Sequence, residues 1–167
     1  MNNCCETTEI AARNGHLECL KTLYSQGVQW HPETSYFAGI FGHLDCLKYA
    51  HENGCPWDEY TIPHIAGSGH LECLKYAHSL GYEWHPDTTA YAARYGYLEC
   101  LLYCLENNCP ISSQTLSKLY TSQTDKNLST NLLLRKVLLH PRLQNKINIR
   151  KYPKFTKAIE EYNSIYI

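Results

Sequence analysis

Three histidine–cysteine pairs are the residues whose types and spacing most directly allow chemistry. The pairs are His16 with Cys19, His43 with Cys46, and His70 with Cys73. Residues three apart share a helix face, so two adjacent pairs are candidates for a zinc site with two histidines and two cysteines. Packed helices lie roughly 10 Å apart, however, whereas zinc ligands approach the ion to about 2.0–2.3 Å. We therefore predict that these cysteines, and Cys100 at the same place in the pattern, are reduced, metal-free core residues.

Cysteine is also a nucleophile when a histidine lies beside it. A catalytic residue is expected to occur once, whereas these cysteines recur at a fixed interval. Cys104 and Cys109 are less regular, but no acid or oxyanion element accompanies them in the sequence. No phosphate-binding loop, paired-carboxylate motif or glycine-rich turn is present either. We predict that the protein is not an enzyme and uses no cofactor.

The cysteines belong to a motif, Gly-x-Leu-Glu/Asp-Cys-Leu, that occurs four times at an interval of 27 residues. The motifs begin at Gly15, Gly42, Gly69 and Gly96. A threonine stands eight residues before each glycine, and small residues lie between the two. A fixed interval of this size is typical of a repeat array. Each unit is predicted to contain one helix before the glycine and a second after it, with the leucines and cysteine of the motif buried.

Glycines are predicted to end both helices of a unit, because a helix often ends on a residue with positive φ. The second helices are expected to end at Gly27, Gly54, Gly81 and Asn108. The following loop carries Asp58 or an equivalent residue that can cap the next first helix. Pro63 falls where the first helix of the third unit should already be running. We therefore predict that this helix starts late and that Thr61 caps it.

Composition narrows the class of protein further. No stretch approaches the roughly 18 apolar residues of a membrane helix, and the N-terminal residues lack the basic and apolar regions of a signal peptide. The chain has nine cysteines, which without a secretory signal indicate free thiols in an intracellular, reducing compartment. We expect no membrane association and a monomeric protein.

Charge divides the chain into two parts. Residues 1–112 contain five Lys or Arg against thirteen Asp or Glu, a net charge of −8. Residues 113–167 contain ten against three, a net charge of +7. A composition break of this size marks a boundary. We predict an acidic repeat domain over 1–112 and a separate basic segment over 113–167.

The basic segment is predicted to be a divergent helical cap. Thr115 is in register with the repeat threonines and indicates the first helix of a partial fifth unit, but Gln123 replaces the motif glycine. Helices are predicted over 128–139, stopped by Pro141, and over 157–162. A terminal element of this kind covers the apolar end of a repeat stack. The alternative is that its basic residues, with Tyr152 and Phe155, bind nucleic acid; we regard this as the less favoured function because the charges are spread along the segment.

The motif resembles the ankyrin repeat. The pattern Thr-x-x-x-Ala-Ala-x-x-Gly-His-Leu-Glu-x-Leu-Lys covers about residues 6–115, and five positions are identical in all four units. The units lack about six residues of the ankyrin repeat of about 33 residues, at the place where ankyrin repeats carry a β-hairpin. The sequence after the glycine, as in His-Leu-Asp-Cys-Leu-Lys-Tyr-Ala-His-Glu-Asn-Gly, resembles short ankyrin-type repeats of giant DNA viruses such as mimivirus.

The resemblance implies an all-α solenoid of stacked helix-turn-helix units that serves as a non-catalytic scaffold for protein–protein interaction. It implies a host or viral protein partner and a location in the host cytoplasm. In ankyrin-type stacks the first helices and loops line a concave face, and the residues just before each glycine vary most between these units. We predict that the partner-binding residues are Arg13, Asn14, Tyr36, Ile40, Phe41, Ser68, Arg94 and Tyr95. The alternative for Phe41 is that it folds back onto the next helix.

Overall fold

The computed structural model describes residues 5–112, 114, 115, 137, 139–144 and 164. Eight helices form four pairs: α1 (Thr8–Arg13), α2 (Leu17–Ser25), α3 (Thr34–Ile40), α4 (Leu44–Glu52), α5 (Thr61–Ser68), α6 (Leu71–Ser79), α7 (Thr88–Tyr95) and α8 (Leu98–Glu106). A short helix, α9 (Pro141–Gln144), follows in the C-terminal segment. The described residues contain no strand. The predicted all-α solenoid of helix-turn-helix units is therefore confirmed.

The helices form two layers. The first helices α1, α3, α5 and α7 pack side by side, and the second helices α2, α4, α6 and α8 cover them. The first helices approach one another more closely than the second helices do, because small residues that are fully buried, such as Ala12, Ala38 and Ala66, lie between them. A smaller spacing on one side curves a stack toward that side. The first-helix face is therefore the inner face.

Local hydrogen bonds end the helices at the predicted glycines. After α1, the backbone N–H of His16 donates to the carbonyl of Ala11 and that of Gly15 donates to Ala12. This pair of bonds requires a left-handed residue, and Gly15 has a φ of +70°. Asn108 ends α8 with a φ of +60°, the one non-glycine residue with positive φ in the described part of the chain. The prediction that asparagine replaces glycine there is confirmed.

The predicted late start of the third unit is wrong. Helix α5 begins at Thr61, as α3 begins at Thr34 and α7 at Thr88, and Tyr60 occupies the capping position. Pro63 is the third residue of α5. The first N–H groups of a helix have no acceptor within it, so a proline there removes no hydrogen bond.

The motif residues are buried less uniformly than the pattern predicts. The second leucine of each motif is fully buried, at Leu20, Leu47, Leu74 and Leu101. The first leucine is fully buried only at Leu98 and is half-buried in the other three units. Cys19 is likewise half-buried, whereas Cys46, Cys73 and Cys100 are fully buried.

Part of the C-terminal segment joins the repeats. The Thr115 hydroxyl is 2.9 Å from that of Thr89, as Thr34 is 2.8 Å from Thr8 in the first two units. Thr115 therefore holds the predicted position of a fifth repeat threonine. Val137 and Leu143 are fully buried in the same core as the repeats. Pro141 begins α9 and His140 is not helical, in agreement with a break there.

Other predictions for this segment lie outside the described residues. They are the helix over 157–162, most of that over 128–139, and the side chains of the basic segment with Tyr152 and Phe155. Within the described part of the chain, no helix combines the length and apolar character that crossing a membrane requires.

Candidate partner-binding face

The surface that varies most between units lies on the first helices. The residue just before the motif glycine and the residue one turn earlier share a side of the helix. In the second and fourth units these positions hold aromatic residues: Phe37 and Phe41 in one, Tyr91 and Tyr95 in the other. In the third unit they hold His64 and Ser68.

Six rings form a continuous aromatic band across these three units. In order they are Phe41, Phe37, Tyr36, His64, Tyr91 and Tyr95. The centroids of successive rings are 6.2, 5.4, 5.3, 5.0 and 6.4 Å apart, which are separations of interacting aromatic pairs. The six rings therefore form one contiguous surface.

The two ends of the band are its most exposed parts. Phe41 is 42% and Tyr95 54% exposed. The guanidinium carbon of Arg13 lies 5.5 Å from the centroid of the Phe41 ring. Tyr95 leans over Gly67, where an added Cβ would lie 3.2 Å from the ring. Each end of the band therefore contacts the preceding unit.

The remaining predicted binding residues have different positions. Tyr36 lies within the band and is half-buried, and Asn14 is exposed at the end of α1. Ile40 is half-buried and packs against the core, so only part of its side chain is available to the predicted apolar patch. The Ser68 hydroxyl donates to the carbonyl of His64 at 2.8 Å and is directed back to its own helix.

Three members of the band are not among the partner-binding residues predicted from the sequence: Phe37, His64 and Tyr91. The signal was available, because all three stand five residues before the motif glycine and therefore one turn before the position that was identified. The first unit has Ile10 there, which is 38% exposed. A search for variable positions with helical spacing, rather than for the last two positions alone, would have found them.

An arginine lies at each end of the band, although the repeat domain is acidic. The two arginines of residues 1–112 both lie on the band, since Arg94 is 5.5 Å from the centroid of Tyr95 as Arg13 is from that of Phe41. The lysines lie on second helices, where Lys21 and Lys75 pair with Glu18 and Glu72 at 2.7 and 2.8 Å. Burial raises the pKa of Tyr36, so this phenol contributes a neutral hydroxyl to the face.

The repeat cysteines have the properties of core residues. Burial raises the pKa of the Cys46 and Cys73 thiols to about 11 and that of Cys100 to about 12. The pKa of Cys104 is also raised, first by a hydrogen bond with Cys109 and then by burial. The nucleophilic form of cysteine is the thiolate, and these shifts oppose its formation near neutral pH. Their chemistry is therefore suppressed by packing.

Comparison with known proteins identifies the fold of the chain. No protein-family model matches the sequence, and no curated protein matches it. Among solved structures, the chain is similar to the crystal structure of the human ASB11 ankyrin repeat domain. The TM-score is 0.67 at 19% sequence identity, over 92% of this chain and 84% of the other. The chain therefore has the fold of an ankyrin-repeat domain.

Proposed function

We propose that the protein is a non-catalytic scaffold that binds another protein through the aromatic band. Residues 1–112 form the binding array in this proposal, and residues 113–167 cap it. The single observation that carries the proposal is the chain of six rings across three units, exposed at Phe41 and Tyr95. Aromatic residues and arginine are enriched at the energetic centres of protein interfaces. The ankyrin-repeat fold, which generally mediates protein–protein interaction, is consistent with this role.

The chemistry of the band indicates the kind of surface that it binds. Phe41 and Tyr95 offer apolar area, while Arg13 and Arg94 offer fixed positive charge above the two rings. A partner with apolar anchors flanked by carboxylates complements this arrangement, because buried guanidinium groups require anionic or polar partners. The resemblance of the repeats to those of giant DNA viruses favours a host or viral protein as the partner and the host cytoplasm as the location.

The test compares capture of partners by the wild-type protein and by a Phe41→Ala, Tyr95→Ala double variant. The variant removes the two most exposed rings of the band and leaves the buried helix contacts intact. We expect loss of partner enrichment by about tenfold or more, since truncating hot-spot residues typically costs about 2 kcal/mol or more each. Thermal unfolding of the variant should be close to wild type. Quantitative mass spectrometry of the captured proteins provides the readout.

Tyr24→Ala is the matched control. Tyr24 is a tyrosine exposed to 37%, but it lies on α2 in the other layer. Capture should persist in this variant. The proposal is wrong if the double variant keeps its partner at wild-type yield, or if the control loses it equally. The nucleic-acid alternative predicts a different result, namely binding that survives both changes and falls steeply with added salt.

The proposal also predicts a monomer, with the band available to a different protein. Sedimentation velocity of the purified protein should give the mass of one chain. If the wild type is a dimer that the double variant dissociates, the band is instead a contact between two copies.

A further inference from the structure

The first unit brings together three soft metal-binding atoms that the periodic pattern does not. Cys5 Sγ lies 3.2 Å from His16 Nδ1, and Cys19 Sγ completes a group whose three atoms all lie within 4.8 Å of one another. Cys19 is expected to be metal-free because its fixed place in the repeat indicates a packing role and because pairs from adjacent units are too far apart to share one ion. Cys5 precedes α1 and has no counterpart in the 27-residue interval, so that argument does not apply to it.

We propose that Cys5, His16 and Cys19 bind one zinc ion. Zinc is held tetrahedrally by thiolates at about 2.3 Å and imidazole nitrogens at about 2.0–2.1 Å. Donor atoms around such an ion are therefore about 3.3–3.8 Å apart. The present separations need change by only about 1 Å to enclose it. With these three protein ligands, a water molecule would occupy the fourth tetrahedral position of the ion.

Among the described residues, such a group of donor atoms occurs only in the first unit. In the second unit, the equivalent His43 faces Gly15 of the preceding unit, and its Nε2 is 3.1 Å from the carbonyl oxygen of Arg13. The equivalent Cys46 is fully buried. In the first unit, by contrast, the His16 ring faces Cys5, and Cys19 is only half-buried. An ion can therefore reach this group. In the second unit, by contrast, the histidine and cysteine are packed against other residues.

The surroundings favour a bound cation with two thiolates. Cys19 is the third residue of α2, and the N-terminal end of a helix stabilises a negative charge. Two thiolates and a neutral imidazole balance the charge of a divalent ion. Soft thiolate ligands in a tetrahedral set also favour zinc over magnesium or calcium, which prefer oxygen. A Cys–His nucleophile is the weaker explanation, because Cys5 is only 1% exposed and out of reach of a substrate.

The ion would join Cys5 in the segment before α1, His16 in the turn after α1, and Cys19 in the first turn of α2. An end unit of a repeat stack has a neighbour on one side only and so has half the interfacial stabilisation of an internal unit. A cross-link at this end holds the N-terminal segment against the first unit. The proposed role is therefore structural.

The test uses the full-length protein, freed of metal under a phosphine reductant and titrated with zinc against a chromogenic chelator. We expect one ion per chain. Cobalt, used as a spectroscopic probe, should give the intense visible bands of a tetrahedral site and a thiolate charge-transfer band. Zinc should also raise the midpoint of thermal unfolding by roughly 5 °C or more at saturating concentration.

Matched variants at the same repeat position separate a site from general thiol binding. Cys19→Ala and His16→Gln should each weaken zinc binding by about tenfold or more, since loss even of outer-shell partners costs 10–100-fold. Cys73→Ala and His70→Gln should bind like wild type. The proposal is overturned by less than one ion per chain in the wild type, by equal losses in both sets, or by a Cys5–Cys19 disulfide in protein purified under reductant.

Discussion

His43 of the second unit lies directly against Gly15 of the first. A Cβ added to Gly15 would be 2.5 Å from the His43 Nδ1 atom, and the opposite ring nitrogen, Nε2, is 3.1 Å from the carbonyl oxygen of Arg13. His70 faces Gly42 and Tyr97 faces Gly69 in the same way. The motif glycine therefore serves two purposes: it ends the first helix with a positive φ and leaves room for a ring of the next unit.

Because the motif glycine has this double role, replacing it should destabilise the protein more than replacing a glycine that only ends a helix. Gly15 and Gly27 both have positive φ, +70° and +81°, but no atom lies within 4 Å of a Cβ added to Gly27. Gly27→Ala should therefore cost only backbone strain, about 1–2 kcal/mol. Gly15→Ala should cost about 1–3 kcal/mol more, because His43 must move. Chemical denaturation measures both, and equal losses would contradict the close contact.

The two leucines of one motif predict another difference. Leu74 is fully buried, whereas Leu71 is half-buried. Leu74→Ala should lower the free energy of unfolding by about 2–5 kcal/mol through the cavity that it creates. Leu71→Ala should cost clearly less, since water already covers part of its side chain. A larger loss at Leu71 than at Leu74 in denaturant titrations would show that α6 is rotated from its described orientation.

Tryptophans at one repeat position differ in hydrogen bonding. The indole N–H groups of Trp30 and Trp84 donate to the carbonyls of Asn53 and Asn107 at 2.8 and 3.0 Å. The buried N–H of Trp57 has no acceptor, and its ring stacks on Tyr82 with the centroids 5.0 Å apart. Trp30→Phe should therefore destabilise the protein by about 1 kcal/mol more than Trp57→Phe. The loss of ring area is the same in both variants, so the difference in unfolding free energy reports the hydrogen bond.

Because its cysteine thiols are buried, the protein should lose stability at high pH. Folding raises the pKa of Cys73 from 9.0 to about 11, because burial disfavours the thiolate. The unfolded chain thus loses this proton first, and the stabilisation that is complete below pH 9 disappears as the pH rises toward about 11. Unfolding free energies measured across this interval should fall less steeply in Cys73→Ala than in wild type. Equal slopes would show that Cys73 ionises normally in the folded protein.

Features set by short stretches of chain could be predicted from the sequence. The helix pairs, their glycine ends and the left-handed Asn108 follow from hydrogen bonds between residues five or fewer apart, and the 27-residue interval repeats them. The register of Thr115 could be predicted for the same reason. Pro63 is the exception. A helix accepts a proline in its first turn, so the effect of Pro63 depends on where α5 begins, and the sequence did not locate that start correctly.

Contacts between units were decided only by the tertiary structure. The distance between neighbouring helices determines that Leu74 is buried and Leu71 partly exposed, that Ile40 packs partly against the core, and that His64 links rings of the units on either side. The 27-residue repeat interval in the sequence does not specify that distance. Cys5 illustrates the limit most clearly: it stands outside the interval, and only folding brings it 3.2 Å from His16, eleven residues away. The repeat thus specifies each unit, while the packing of one unit on the next determines which residues form a surface or a site.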